Sequence, residues 1–138
     1  TEITDAVNAL SKLTGRPTML FRPPYGAHNE RIDAMMAKQN LAMINWAADS
    51  NDWQNRDPGK ITKAVTQYAA TYTQPIVVLH DTYQATADAT SGLIEALRHK
   101  GMTLVTVSEL TVNTGGLEAG KVYCRGTAVN QSGFGCHS

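Results

Sequence analysis

The sequence predicts an α/β fold in which parallel β-strands lie beneath an outer layer of α-helices. Segments with a helical spacing of apolar residues alternate four times with short apolar runs, and the connections between them are short. This alternation is typical of parallel strands joined by helices. Four units are too few to close a barrel of eight strands, and the chain opens on a helix with no strand before it. We therefore interpret the chain as the second half of a barrel.

Local start and stop signals delimit the four predicted helices. Gly15 ends the first helix, Asn29 can cap the second, and the pair Asp57-Pro58 starts the third. Gly101 ends the fourth, which has basic residues in its last turn. The predicted helices cover residues 3–13, 30–40, 58–72 and 86–100.

The four predicted strands are short apolar runs bounded by breakers. The first stops at Pro23-Pro24, which cannot continue a ladder of hydrogen bonds. The second is almost unbroken in its apolar character, which is expected of a strand buried on both faces. The predicted strands cover residues 18–21, 41–48, 75–79 and 102–107.

The sequence divides into a domain, residues 1–111, and a glycine-rich tail, residues 112–138, in which little apolar matter is expected to be buried. Cys124 and Cys136 lie in this tail, and a disulfide between them would close a short loop. Such a bridge implies an oxidising, extracellular setting. Two free thiols are the alternative, and a zinc site with His137 is a weaker one.

The net charge restricts the classes of partner. Twelve Lys and Arg residues balance twelve Asp and Glu residues, so the formal net charge is zero. A neutral chain has no basic surface with which to attract nucleic acid or an anionic membrane, and no apolar stretch reaches the length of a membrane span. We expect neither a nucleic-acid partner nor a membrane span.

Three strands are followed by segments rich in polar or conformationally special residues: 22–26, 49–53 and 80–81. Because the carboxyl ends of parallel strands meet on one rim, we expect all three segments to lie together. Each has a simpler explanation alone: Arg22 as a surface ion pair, Asp52 as a turn cap, Trp53 as a core residue and His80 as a buried histidine. Three coincidences at three strand ends of one rim are a weaker explanation.

These segments resemble signature motifs of the polysaccharide deacetylases, the family-four carbohydrate esterases. The residues Arg22-Pro23-Pro24-Tyr25 are similar to the RxPY motif, Asp49 to Trp53 to the DxxDW motif, and Val78-Leu79-His80 to a hydrophobic-x-His motif. Order and separations match, and the resemblance spans residues 10–110. It implies a distorted (β/α) barrel of the polysaccharide deacetylase type, of which this chain is the C-terminal part.

The resemblance also implies roles for individual residues. His80 is expected to be the general acid that protonates the departing amine, with Asp52 orienting it and favouring its protonated form. Tyr25 is expected to offer its backbone N–H to the oxyanion, and Arg22 to hold a catalytic-base aspartate in place. The residues expected to contact the acetylated sugar are Pro24, Tyr25, Trp53 and Val78. An amine is a poor leaving group unless protonated, which calls for an acid independently of the resemblance.

The family's divalent metal, often zinc with cobalt or nickel possible, is held by one aspartate and two histidines. The motifs that supply these ligands and the base are absent here, and His28, His99 and His137 show no paired spacing. We therefore expect the ligands upstream of Thr1, on an N-terminal fragment of the same domain that acts as a partner. Without that fragment the chain is expected to be inactive.

The predicted activity is hydrolysis of acetyl groups from N-acetylglucosamine polymers, of the peptidoglycan or chitin type, at a secreted or cell-wall location. Acetylxylan O-deacetylation is an alternative, because a pocket for the acetyl group does not separate amide from ester. A non-catalytic carbohydrate-binding domain without a metal site is an alternative of another class. The combination of Asp52 with His80 argues against it, since a binding module needs no acid.

Overall fold

The four predicted helices are present, although the fourth begins two residues earlier than predicted, and a short fifth helix is additional. The computed structural model describes residues 2–129, 133–134 and 136. The helices are α1 Glu2–Thr14, α2 Glu30–Lys38, α3 Pro58–Thr71, α4 Gln84–His99 and α5 Val107–Thr111. Asn29 caps α2 by accepting from the Ile32 N–H, and Asp57 caps α3 by accepting from the Lys60 N–H. None of the helices in these described ranges combines the length and apolar content needed to cross a membrane.

The strands are short and form three small sheets. They are β1 Leu20–Phe21, β2 Ala27–His28, β3 Ala42–Ile44, β4 Ala48–Asp49, β5 Val77–Val78, β6 Val122–Tyr123, β7 Ala128–Val129 and β8 Gly133–Phe134. The largest sheet has the order β1-β3-β6-β7, in which β1, β3 and β6 are parallel and β7 is antiparallel. β4 pairs with β5 in parallel, and β2 pairs with β8 antiparallel. Parallel pairing of the strands that follow helices agrees with the predicted α/β class.

The predicted single strand over residues 41–48 is wrong, because the chain changes partners inside it. The Asn45 N–H bonds to the carbonyl of Tyr123, the last residue of β6, at 2.8 Å. The N–H groups of Ala47 and Ala48 bond instead to the Ile76 carbonyl, at 3.0 and 3.1 Å. The run therefore forms β3 in one sheet and β4 in another, with Asn45, Trp46 and Ala47 between them. An unbroken apolar run carries no signal for such a switch of partner.

The predicted last strand, over residues 102–107, is also not formed. Residues 102–106 have no strand pairing within the described part of the chain, and Val107 starts α5. A capping box explains the start: Thr106 accepts from the Glu109 N–H, and the Glu109 carboxylate accepts from the Thr106 N–H. The local cap thus favours a helix where the apolar pattern predicted a strand.

The tail contributes to the core, contrary to the expectation that it buries little. Val122, Tyr123 and Cys124 are buried, and β6 lies inside the largest sheet, between β3 and β7. One core cluster joins Cys124 to Met36, Leu41 and other residues beneath α2. Cys124 forms a disulfide with Cys136, whose Cα atom is 6.0 Å away, as the sequence predicted.

Helices α3 and α4 pack against each other around a second core cluster. Val65 and Ala69 of α3 contact Leu93 and Leu97 of α4 there. Ala69 lies on the buried face of α3, whereas the neighbouring Tyr68 is exposed. This pair of helices supports β5 and the loop that follows it, where His80 lies.

Candidate active site

Two adjacent parallel strands bring Asp52 and His80 together. β4 ends at Asp49 and β5 ends at Val78, so the loops that carry the two side chains leave the same end of the same small sheet. The Nδ1 atom of His80 lies 2.6 Å from Oδ1 of Asp52. The contact that the motifs required, between residues 28 positions apart in the chain, is present in the fold.

Asp52 is a buried carboxylate with an unusually complete set of donors. Its exposed fraction is 0%, and its Oδ2 atom accepts from the His80 backbone N–H at 2.6 Å and from the Thr86 hydroxyl at 2.8 Å. Burial alone would raise the pKa of Asp52. Hydrogen bonds from the His80 backbone and ring, and from Thr86 and Ser50, outweigh burial and hold the pKa below its ordinary value of 3.8. Asp52 is therefore an anion at neutral pH.

The anionic state of Asp52 determines which ring nitrogen of His80 carries a proton. A carboxylate can only accept, so Nδ1 of His80 must be the donor in their hydrogen bond. The other nitrogen, Nε2, is left for a further partner. The His80 side chain is 31% exposed while Asp52 is fully buried, so the imidazole is within reach of a ligand and is not an enclosed core histidine.

A second group of side chains holds the loops around His80. The guanidinium of Arg56 donates to the Asp52 carbonyl at 2.6 Å, and its Cζ atom lies 3.4 Å from the centroid of the Tyr83 ring. The Tyr83 ring in turn lies 5.8 Å from the His80 ring, centroid to centroid. Arg56 thereby links the turn that carries Asp52 to the loop that follows His80, which restricts the relative movement of the two.

Arg22 lies on the same side of the fold as the end of β5. Its Cζ atom is 4.6 Å from the Trp46 ring centroid, and the Trp46 indole N–H donates to Oδ2 of Asp49 at 3.1 Å. Arg22, Trp46 and Val78 line a common cavity of about 100 Å³. Within the part of the chain that the structure describes, Arg22 makes no ion pair. Its charge is available to a carboxylate from elsewhere.

The loop that carries Pro24 and Tyr25 has a strained backbone. Tyr25 adopts φ 58° and ψ 11°, a left-handed conformation that is costly for a residue with a side chain. Such strain persists where the surroundings enforce it, often at functional sites. Here the Gly26 N–H donates to the Pro23 carbonyl at 2.9 Å, and the Asn45 side chain donates to the Gly26 carbonyl at 3.0 Å. The Tyr25 side chain is 87% exposed.

Trp53 follows Asp52 in a tight turn and is 53% exposed. The turn is held by the Asn51 N–H, which donates to Oδ1 of Asp49 at 2.8 Å. The exposure removes the simpler explanation of Trp53 as a core residue. An exposed indole next to the buried carboxylate of Asp52 is suited to contact a ligand.

The described residues do not form a metal site. No group of three or more His, Cys, Asp or Glu side chains lies close enough to hold a metal ion in residues 2–129, 133–134 and 136. His28 bonds to Asp33, with 3.0 Å between Nδ1 and Oδ1. The predicted alternative ligand His137 lies outside the described residues. The residues present therefore do not fit the metal that the resemblance implies.

Sequence reasoning missed several residues that surround Asp52 and Arg22. The sequence pattern predicts Thr86 as the first residue of a helix and Trp46 as part of a buried strand, and it assigns neither to the site. Arg56 carried no motif in the prediction. A hydroxyl six positions after His80, in the first turn of the next helix, was the available signal for Thr86, because a first-turn side chain can reach back to the preceding loops.

A buried carboxylate hydrogen-bonded to a half-open imidazole, at the carboxyl ends of parallel strands of an α/β fold, is an arrangement suited to acid–base chemistry. Comparison with known proteins narrows this class. A family profile described as polysaccharide deacetylase matches residues 1–44. The peptidoglycan-N-acetylmuramic acid deacetylase PdaC of Bacillus subtilis is 34% identical over 109 residues, which are 79% of this chain and 22% of PdaC.

Two further comparisons agree with the match to polysaccharide deacetylases. The peptidoglycan-N-acetylglucosamine deacetylase PgdA of Listeria monocytogenes is 32% identical over 122 residues, covering 88% of this chain and 25% of PgdA. The structure of a family 4 carbohydrate esterase from Streptomyces lividans, in complex with acetate, superposes with a TM-score of 0.69 at 30% identity. That superposition covers 86% of this chain and 58% of the esterase.

The chain belongs to the polysaccharide deacetylase family. It spans about a quarter of the length of the curated relatives and somewhat more than half of the solved esterase. The predicted fold class, the C-terminal portion of a (β/α) barrel of this type, is confirmed.

Proposed function

We propose that this chain forms part of a hydrolase that removes acetyl groups from N-acetylglucosamine polymers, and that it supplies the general acid His80. The observation that carries the proposal is the 2.6 Å hydrogen bond from His80 Nδ1 to the buried, ionised Asp52. A binding module has no need for such a pair. An amide hydrolase needs one, because its amine leaving group departs only after gaining a proton.

The proton balance follows from the tautomer. Asp52 holds one ring proton on Nδ1, so a second proton on Nε2 makes an imidazolium that faces outward. After water has added to the acetyl carbon, the bond between that carbon and the sugar nitrogen breaks, acetate forms, and Nε2 gives its proton to the departing nitrogen. His80 is left neutral, with its Nδ1 proton still hydrogen-bonded to the Asp52 carboxylate, and uptake of a proton from solvent by Nε2 restores the acid.

The other predicted site residues are proposed to bind either the catalytic base or the substrate. We propose that Arg22, which has no ion pair in the described ranges, holds the carboxylate of the catalytic base. We propose that the Tyr25 backbone N–H donates to the oxyanion and that Pro24 and Tyr25, in the same strained loop, contact the acetylated sugar. Exposed Trp53 and buried Val78 form the wall and floor of the acetyl pocket.

We further propose that a segment N-terminal to this chain supplies the ligands of a divalent metal, with zinc the expected ion and cobalt or nickel as alternatives. The described residues offer no ligand cluster, so neither the metal nor any step on it is assigned to this chain. Exposed apolar side chains on β1 and on the unpaired residues 102–106 support an upstream partner segment. These are Leu20, Leu104 and Val105. Barrel strands of that segment would cover them.

Names of relatives support peptidoglycan as the substrate class, since PdaC and PgdA are both named for it. N-acetylglucosamine is proposed as the reacting sugar, and acetylxylan remains the ester alternative. The disulfide between Cys124 and Cys136 supports a secreted or cell-wall location, where an oxidising medium preserves such bridges.

Acetate release tests the proposal. The isolated 138-residue chain, the same chain mixed with the upstream fragment, and the complete domain would be assayed on N-acetylglucosamine oligomers, peptidoglycan and acetylxylan. We expect acetate only when the upstream fragment is present, with loss of release after chelation and recovery on adding zinc. Faster release from acetylxylan would favour the esterase. Binding of glycan by the complete domain with no acetate from any substrate would show a carbohydrate-binding domain instead.

A further inference from the structure

Thr86 makes a contact that sets it apart from the other helical threonines described in α3 and α4. In those helices, several threonine hydroxyls donate to the carbonyl four residues before them, which is an ordinary habit of threonine in helices. Thr86, buried in the first turn of α4, instead donates to Oδ2 of Asp52 at 2.8 Å, across 34 positions of sequence. Its hydroxyl therefore serves the site and not its own helix.

The hydrogen-bond donors around Asp52 come from different parts of the fold. The two donors from His80, its backbone N–H and its ring Nδ1, belong to the residue that Asp52 has to orient. Among the side chains that donate to the carboxylate oxygens, Thr86 is the one that belongs to a helix. It thus ties the carboxylate to α4, which packs on α3.

A carboxylate of this kind has no strong torsional preference. The χ2 angle of aspartate is a broad, nearly two-fold torsion, so hydrogen bonds and packing decide the plane in which the two oxygens lie. If the Thr86 hydroxyl is removed, Oδ2 keeps the His80 N–H as its donor and loses its bond to α4. The plane of the carboxylate, and with it the direction of the imidazole, is then less firmly fixed.

We propose that Thr86 is a positioning residue that fixes the carboxylate plane of Asp52 and, through it, the direction of His80 Nε2. Thr86 acts through Asp52 and does not touch the substrate. The inference deepens the proposed function and rests on it for its kinetic consequence, whereas its structural consequence, a fixed ring N–H, can be observed without any turnover.

The test uses three variants of the complete domain. Thr86→Val replaces the hydroxyl by a methyl group of similar volume, and Thr86→Ser keeps the hydroxyl. Thr90→Val is the matched control, because Thr90 lies one turn further along α4 and its hydroxyl bonds to the Thr86 carbonyl at 2.7 Å, away from Asp52. Two quantities are measured: kcat and KM for acetate release from N-acetylglucosamine oligomers, and the downfield proton resonance of the His80 Nδ1–H.

We expect Thr86→Val to lower kcat by about 10-fold, as for the loss of one hydrogen bond to a charged group, with KM within about twofold of the parent. The Nδ1–H resonance should broaden or vanish through faster exchange with water. Thr86→Ser should restore both readouts, and Thr90→Val should match the parent. If Thr86→Val does not fold, Thr86→Ala takes its place under the same two readouts.

Two results would overturn the inference: a Thr86→Val resonance and kcat equal to those of Thr90→Val, or a Thr86→Ser domain as impaired as Thr86→Val. Failure of the proposed function looks different, because then the parent domain releases no acetate. In that case the resonance alone decides the role of Thr86, since it reports the fixed ring whether or not the domain turns over.

Discussion

Replacing Asp52 with asparagine changes the charge at the centre of the site with almost no change in volume. An amide has one accepting oxygen, whereas the carboxylate accepts, in addition to Ser50, from three donors of His80 and Thr86: the His80 N–H, the His80 ring and the Thr86 hydroxyl. The Oδ2 position receives two of these donors, so the amide oxygen is expected there. The amide NH₂ then faces Nδ1 of His80 and forces that nitrogen to give up its proton.

The expected effect on stability follows from those three bonds. A hydrogen bond to a charged group contributes about 1.5–3 kcal/mol and a neutral one about 0.5–1.5, so each bond loses roughly 1 kcal/mol. Relief from burying a charge offsets part of the total, and we expect a net loss of about 1–3 kcal/mol in the free energy of unfolding. Asp57→Asn is the control. Asp57 is an exposed helix cap, and asparagine caps equally well, so its effect should stay below about 0.5 kcal/mol.

The same substitution predicts a pH dependence. Burial alone would raise the pKa of Asp52, but hydrogen bonds from His80, Thr86 and Ser50 hold it below 3.8 in the folded state. As the pH falls, the unfolded chain therefore binds the proton first. The contribution of Asp52 is complete above its ordinary pKa and is lost as the pH falls through the lower, folded value. The gap in unfolding free energy between parent and Asp52→Asn should thus shrink below about pH 4.

Urea denaturation of the complete domain at several pH values measures the stability, and acetate release measures the activity. We expect kcat to fall by about 10²–10⁴, because a His80 tautomer with its proton on Nε2 and none on Nδ1 is neutral and a very weak acid. A domain with Asp52→Asn that keeps its full kcat would refute the argument. So would a stability gap that does not change with pH.

Three other substitutions test the surroundings of the site. Gly26→Ala should lower the free energy of unfolding by about 1–2 kcal/mol, because Gly26 has φ 70° and an added Cβ would lie 3.2 Å from the Trp46 ring; urea denaturation that finds no loss would contradict the loop geometry. Trp46→Phe keeps a ring under Arg22 but removes the indole donor to Asp49, so a loss near 1 kcal/mol is expected by the same method. Cys136→Ser removes the disulfide and should cost up to about 3 kcal/mol in thermal unfolding without reductant; a parent domain that melts no higher than the variant under these conditions would argue against the bridge.

Local signals explain why the helices could be predicted well. Asn29 and Asp57 cap helices through bonds to residues three positions away, and Gly101 follows the last turn of α4 with a left-handed φ of 77°. These interactions lie within one short window of sequence. The capping box of Thr106 and Glu109 is an equally local signal, but the apolar pattern of residues 102–107 predicted a strand there.

Non-local pairing explains what could not be predicted. The change of partner between Ile44 and Ala48 depends on where β6 and residue 76 lie, and no residue in the run marks it. The burial of Tyr123 in a glycine-rich tail likewise depends on the sheet that the tail enters. The apolar runs at residues 18–21, 41–48 and 75–79 do contain strands, but which sheet each strand joins depends on the fold.

The candidate site shows the same division. Asp52 and His80 were predicted to meet because both follow parallel strands, and they do. Thr86 and Arg56, which hold Asp52 from α4 and from the turn after Trp53, belong to no strand end, and their contacts arise only from packing. The roles of Arg22, Tyr25 and Trp53 remain predictions.

The dependence on the leaving group tests most directly whether His80 is the general acid. His80→Gln in the complete domain would be assayed on an N-acetylglucosamine oligomer and on p-nitrophenyl acetate, whose leaving group departs without a proton. The account predicts a fall of about 10²–10⁴ in kcat on the amide and of less than about 10-fold on the activated ester. An equal fall on both substrates would contradict it, because His80 would then serve a step that precedes departure of the amine.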